Sequence, residues 1–326
     1  MKEIFAKIIM YQIGVVLKLF KTSFDEIKFV AMVTDDGEYY KINFGYNKNI
    51  VSFRRIEKLI KKIRKLISVI PIPDFADEFN FDEIEIPDFE EFISPSSSSF
   101  NNLATSTLAL KAGLTIRRQG DGFKKGSLGA LIKLKELNDF FILSNYHVLA
   151  SKSVELGHPI LDSKSDKKIG ELYWFKKDNR HDIAIAKVTC STLCDKVSDT
   201  INYDFGELGR LTKFEEPVAM TGGISDFSEG ITFSNYAHVN VKSKWFINQL
   251  LLKNLSSQPG DSGTILVKSS SSKGLPKDVV GLVFAKDGSD SNLTVANKID
   301  KLLSKKIIPS KSKQHSMPEI QFDFFY

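Results

Sequence analysis

The sequence predicts a mainly β protein with a small mixed α/β unit at its amino terminus. Three observations say so. From about residue 105 onward, short β-type runs recur between glycine and polar turns, the pattern of an all-β barrel or sandwich. The first 70 residues instead hold one hairpin signal and one clean helical period. Between the two lies Ser-Pro-Ser-Ser-Ser-Ser at 94–99, the composition of a linker. A chain of 326 residues is long enough for two or three packed units.

The amino-terminal elements follow in order. Residues 8–17 form a mostly apolar run flanked by Lys7 and Lys18. It lacks a small-x-small cleavage site, and its lysines come too soon for a spanning helix, so it reads as a buried element of a folded domain. Residues 28–33 and 39–44 are strand-like and are joined by Asp35-Asp36-Gly37, a hairpin turn. Residues 54–70 then repeat with a helical period. Ile56, Leu59, Ile60, Ile63, Ile67 and Ile70 share one face, and seven lysines and arginines surround it. A stripe of this kind packs on its own domain, or else seats the helix on a membrane or polyanion.

Pro71 and Pro73 end that helix, and residues 71–93 carry nine acids, no base and five phenylalanines. The expected division is an amino-terminal α/β domain over 1–70, an acidic, Phe-rich segment and linker over 71–104, a β domain over 105–306, and a tail over 307–326. Strands are expected at 127–134, 140–144, 183–188, 217–221, 264–267, 279–284 and 293–296, with a closing helix over 296–306.

Charge and cysteine content exclude several classes. The net charge of +5 splits into +7 over residues 1–70, −9 over 71–93 and +7 over the rest. Only 7 of the 45 basic residues are arginine, which argues against a dedicated nucleic-acid reader. Cys190 and Cys194 cannot build a disulfide framework, and no second Cys or His pair stands at zinc-ligand spacing. The expectation is a cytoplasmic protein without cofactor or metal, with no specific nucleic-acid partner and no membrane attachment.

Three segments carry chemistry. In Phe141-Ile-Leu-Ser-Asn-Tyr-His147, an apolar strand runs into a turn that ends on a histidine, where a base is held rigidly yet projects. In His181-Asp182-Ile-Ala-Ile-Ala, an aspartate opens an apolar strand, and a carboxylate there can hold an imidazole's tautomer. Strand alternation turns His181 to the opposite face, so it reads as structural. In Gln258-Pro-Gly260-Asp261-Ser262-Gly263, a serine sits in a glycine-rich bend before a buried strand. Such a bend lets the Gly260 and Ser262 amides aim at one developing oxyanion. The order is His, Asp, Ser, spaced 35 and 80 residues apart.

On these residues, with Gly126-Ser-Leu-Gly-Ala, Val280-Gly-Leu-Val-Phe-Ala and Asn297-Lys-Ile, the stretch of about 105–306 resembles the trypsin/chymotrypsin-like serine peptidases. It looks closer to an intracellular-type subgroup of bacteria and plants than to secreted digestive enzymes. The resemblance implies two six-stranded antiparallel barrels with the site between them. Ser262 would be the nucleophile, His147 the base, Asp182 its orienter, and Gly260 and Ser262 the oxyanion amides. It also implies a specificity pocket with Ser256 at its base and Phe284, Ala285 and Lys286 along one wall. No Ile-Val-Gly-Gly activation sequence precedes His147, so Asp261 needs a partner other than a freed amino terminus.

Two function classes follow. The leading one is a serine endopeptidase acting on protein or peptide substrates, regulated or targeted through its amino-terminal region, with a regulatory partner there. The rival is a protease-fold binding module with a latent site, docked on a protein, membrane or polyanion by its basic helix. Pseudoenzymes usually lose a triad residue, and here all three are present.

Overall fold

A computed structural model describes residues 2–19, 27–35, 39–46, 53–67, 80–85, 89–91, 110–120, 125–133, 139–151, 153–189, 205–211, 214–269, 277–287 and 292–302. Both cysteines, the serine linker, residues 270–276 and the tail over 307–326 lie outside them.

The first sheet is built from β5 (Thr115–Arg118), β6 (Lys125–Ser127), β7 (Ala130–Lys133), β8 (Phe140–Ser144), β9 (Pro159–Asp162), β10 (Lys168–Lys177) and β11 (Asp182–Val188). Its order is β6-β5-β9-β10-β11-β8-β7, with every pairing antiparallel. Only Leu128 and Gly129 separate β6 from β7, so the two ends of that order are one bent stretch of chain. The sheet therefore curls round on itself into six strand positions.

The second sheet holds β13 (Pro217–Gly222), β14 (Asp226–Val241), β15 (Lys244–Lys253), β16 (Ile265–Lys268), β17 (Lys277–Asp287) and β18 (Leu293–Lys298). Its pairings run β13-β16-β17-β18-β15-β14 and return from β14 to β13, which closes a six-stranded antiparallel ring. A short β12 (Phe205–Leu208) adds in parallel outside β17. The fold class expected of the resemblance is thus present in the strand order itself.

Why the strands flanking the site read as unbroken apolar runs is now plain. Ile142, Ala184 and Ala186 face into the first barrel with Ile116, Ile160 and Leu172. Their neighbours Phe141, Leu143, Ile183 and Ile185 face the other way, onto Ala219, Ile265, Val267 and Leu282 of the second barrel. β8 and β11 are buried on both faces, so neither shows the alternation of a half-exposed strand.

The amino-terminal elements are α1 (Lys2–Leu19), β1 (Ile27–Asp35), β2 (Tyr39–Tyr46), α2 (Phe53–Ile67), β3 (Asn80–Glu85) and β4 (Phe89–Glu91). β1 and β2 form the expected antiparallel hairpin, in register to Asp35 opposite Tyr39. β1 also pairs with β14, Phe29 opposite Val239, so the second sheet runs on into this hairpin. On one face of β1, Val30 and Met32 meet Met10, Ile13 and Leu17 of α1 and Ile56, Ile60 and Ile63 of α2. On the other, Phe29 and Ala31 meet Val239, Phe246 and Phe284 of the barrel. The apolar stripe of α2 is therefore buried inside the molecule, and its charged face is what solvent meets. Among the described residues, no helix is long and apolar enough to cross a membrane.

One imidazole fastens α1 to this sheet. His238 of β14 is fully buried; its Nε2 donates to the Met10 carbonyl, and its Nδ1 accepts from the Asn248 amide at 3.2 Å. Burial disfavours the charged ring and holds its pKa down at about 4, with Lys298 and Arg180 also opposing a proton. A histidine that titrates lower folded than unfolded supports the fold fully above about pH 6.5, and that support drains away as pH falls toward 4. Urea unfolding between pH 7.5 and 4.5 should show wild type losing about 2.5 kcal/mol more than His238→Gln, whose side chain can donate to Met10 but does not titrate.

Candidate active site

The site forms where the bend at Gly260–Gly263 meets the first barrel. The Ser127 amide donates to the Ser262 carbonyl at 2.7 Å, and the Ser127 hydroxyl donates to the Gly260 carbonyl at 2.9 Å. The Ser144 hydroxyl, at the end of β8, in turn donates to the Ser127 carbonyl at 2.7 Å. Two positions there accept only glycine. Gly263 has φ +95°, and a Cβ on it would clash with the Ser144 hydroxyl and the Ser127 carbonyl. A Cβ on Gly129 would clash with the Gly263 carbonyl. The Gly126-Ser-Leu-Gly and Gly-Asp-Ser-Gly strings are thus two halves of one backbone contact.

His147 lies in α3 (Tyr146–Leu149), a single turn following β8. Asn145, buried at its start, donates from its side-chain amide to the Asp182 carbonyl at 2.7 Å, tying the turn to β11. Asp182 is fully buried. Its Oδ2 faces His147 Nδ1 at 3.1 Å, and its Oδ1 accepts the His147 main-chain amide at 3.1 Å. Facing a carboxylate, Nδ1 must carry the ring proton, which leaves a lone pair on Nε2. Among the described residues, buried Nε2 has no hydrogen-bond partner. It is an acceptor awaiting a proton.

Burial works to raise the pKa of Asp182, but the facing imidazole, the Lys177 ammonium and the His147 amide together outweigh it and hold the carboxyl at about 2. Lys177 lies opposite Asp182 in the β10–β11 hairpin and reaches Oδ2 at 3.3 Å. The Asp182 amide is fixed by the second barrel, donating to Asn297 Oδ1 at 3.2 Å. Sequence reasoning missed Lys177. Its signal was the turn Asp178-Asn-Arg-His181, where Asp178 accepts the Arg180 and His181 amides and pairs with the His181 ring at 2.8 Å.

Ser262 is fully buried, and its hydroxyl donates to the Phe284 carbonyl at 3.3 Å, not to His147. Of the three successive amides at the bend, that of Asp261 donates to the Gln258 carbonyl at 3.0 Å. Among the described residues, those of Gly260 and Ser262 donate to no protein acceptor. Asp261 is held by the β13–β14 turn: it accepts the Ile224 and Ser225 amides at 3.0 and 3.1 Å, the Gln258 amide at 2.7 Å, and the Ser225 hydroxyl. Its carboxylate needs no freed amino terminus.

No family model and no curated protein matches this chain. Solved structures do. It is similar to protease A of Thermobifida fusca, with TM-score 0.47 and 14% identity over 60% of this chain and 95% of that one. It is similar also to a Nocardiopsis protease, with TM-score 0.47 and 14% identity over 60% and 95%. A third is a chymotrypsin from Cellulomonas bogoriensis, with TM-score 0.46 and 13% identity over 60% and 94%.

The residues expected at a specificity pocket take the following places. The Phe284 ring packs in the core on Phe246, with centroids 4.9 Å apart, so its carbonyl is what reaches the site. Ala285 is fully buried in the same core. The Ser256 amide donates to the Ser228 hydroxyl at 2.8 Å, and Lys286 Nζ donates to the neighbouring Ser257 carbonyl at 3.0 Å. Since the bend and the first barrel meet backbone to backbone, Gly263→Ala should destabilise the chain by about 2–4 kcal/mol in urea unfolding, far beyond the effect of a surface glycine.

Proposed function

We propose that the chain is a serine endopeptidase and that its amino-terminal region regulates it. The observation that carries this reading is a buried imidazole whose Nδ1 is committed to a buried carboxylate while its Nε2 stands free. Proton transfer requires that rotation about the Ser262 Cα–Cβ bond move its hydroxyl off the Phe284 carbonyl to that acceptor. In the reaction, Oγ forms a bond to the peptide carbonyl carbon as its proton passes to Nε2. Asp182 supports the imidazolium, and the Gly260 and Ser262 amides receive the oxyanion. His147 then returns the proton to the leaving amine, the C–N bond breaks, and water repeats the steps on the ester.

Lys177 shares Asp182 Oδ2 with the imidazole, so the carboxylate stays ionised through the cycle. The expected substrates are proteins or peptides. A cytoplasmic location fits a chain whose two cysteines cannot form a framework of disulfides.

A fluorophosphonate reagent should modify Ser262 and no other residue, as peptide mapping would read. Ser262→Ala should abolish turnover while leaving the unfolding midpoint in place, and His147→Ala should abolish it in a chain that still folds but is less stable, since buried Asp182 loses a partner. Asp182→Asn should lower kcat about 10⁴-fold, the loss that the wrong imidazole tautomer causes in a triad of this order. Turnover persisting in Ser262→Ala would refute the nucleophile.

Specificity follows from a charge held at the residue next to Ser256. The Lys286 ammonium rests on the adjoining Ser257 carbonyl, so a buried lysine or arginine of the substrate would meet a like charge there. A peptide panel varied at the residue before the cut should favour apolar or acidic side chains over basic ones. Strong preference for lysine or arginine would overturn this assignment.

A further inference from the structure

The geometry points to a built-in occupant of the peptide-binding edge: residues 89–91 lie along β17 where a substrate's main chain would, and hold the site shut. This rests on the peptidase reading and names the segment that regulates it.

β17 has two edges. One is taken by β18 along much of its length, with Lys286 opposite Thr294 and Ala285 opposite Val295. The other is covered by β16 only as far as Leu282, opposite Ile265. Phe284, whose carbonyl accepts the Ser262 hydroxyl, comes two residues later. Beyond it the second edge would be bare, a row of main-chain donors and acceptors starting beside the nucleophile. An extended peptide brought to Ser262 has this edge to lie on, by strand addition.

β4 already occupies it. Glu91 lies opposite Ala285, Glu90 opposite Lys286 and Phe89 opposite Asp287, in antiparallel register. The segment therefore runs toward Ser262, the direction that would carry the following carbonyl of a peptide up to the hydroxyl. On its far side Phe89 pairs in parallel with Val241 of β14, so β4 fills the gap where β14 and β17 splay apart beyond β13 and β16. Just upstream, β3 pairs in parallel with β2, from Asn80 opposite Lys41 to Glu85 opposite Tyr46. The amino-terminal sheet thereby delivers β4 to its place.

Two features suit a displaceable plug. Three residues supply only a few ladder bonds, each of small net worth because water competes for the same groups, and a tether gives them an effective concentration of only roughly millimolar. An extended competitor or a partner that withdraws the segment therefore has little to overcome. The segment is also acidic: residues 71–93 carry nine acids and no base, and its register places position 90 opposite Lys286.

The test uses the full chain and a Glu90→Pro/Glu91→Pro variant, with Glu90→Gly/Glu91→Gly as the milder partner. Hydrolysis of an unfolded protein should rise at least tenfold in the variants. Hydrogen exchange should quicken at those Ala285–Asp287 amides that face away from β18 and stay slow at 279–283, which reports an intact barrel. A synthetic peptide spanning residues 84–94, added in trans, should restore protection and slow hydrolysis. Unchanged exchange at Ala285–Asp287, or faster exchange without faster hydrolysis, overturns the inference. Fluorophosphonate labelling of Ser262 in that case leaves the peptidase reading standing, whereas no labelling and no hydrolysis in any form overturns both.

Discussion

Two polypeptide backbones touch at the centre of this protein, and the site exists because they do. The Ser127 amide donates to the carbonyl of Ser262 itself, and the Ser127 hydroxyl donates to that of Gly260. Both bonds fix the Ser262 bend to the first barrel. The approach is close enough that a single methyl on Gly129 or Gly263 would collide. The bend carrying Ser262 precedes the second barrel's β16, while His147 and Asp182 belong to the first barrel. Without this contact the three residues are only neighbours in a list. The apolar seam beneath it, from Phe141 and Ile183 to Ile265 and Leu282, presses the barrels together along the same line.

The His147–Asp182 pair obeys a different constraint. Asp182 has no exposed surface, so its charge must be balanced where it sits. Three donors do this: the imidazole, the His147 amide and the Lys177 ammonium. Only the first takes part in the proposed proton transfer. The other two keep the carboxylate charged whether or not His147 is, so the imidazole gains and loses its proton without the pair having to neutralise. Asn145 and Asn297 hold the Asp182 main chain from opposite barrels, and the aspartate shifts with neither alone.

What was readable beforehand follows from where polar groups are buried. β8, β11, β16 and β17 could be read because both their faces are apolar, and residues 140–144 were placed to the residue. The two long strands β14 and β15 were missed. β14 buries Thr232, Ser234, Asn235, His238 and Asn240, polar residues satisfied largely by pairing with the amino-terminal unit, as the Ser234 hydroxyl on the Met32 carbonyl and His238 on Met10 illustrate. A strand whose buried face is polar carries no period to detect. His147, Asp182 and Ser262 were legible because each stands at the end of an apolar run. Lys177 and Asn297 were not, since what makes them matter is register across a hairpin and contact across a seam.

That same polar face of β14 bears on what the amino-terminal unit is for. A tethered domain would meet the barrel through a surface complete on both sides. Here β1 instead supplies ladder partners to β14 from Phe29 to Ala31, and its two faces serve two cores. The hairpin is thus a continuation of the second barrel's sheet, held in register by main-chain bonds that cannot slip by one residue without reversing both cores. Rigid placement of β2 fixes β3 beside it, and the three-residue step from Glu85 to Phe89 leaves β4 little choice of destination. A plug carried on a flexible tether would sample the whole solvent; one carried on the edge of the same sheet reaches one place. The acidic segment looks like a linker in composition, and its composition is also what a short strand needs to avoid pairing with copies of itself while it waits.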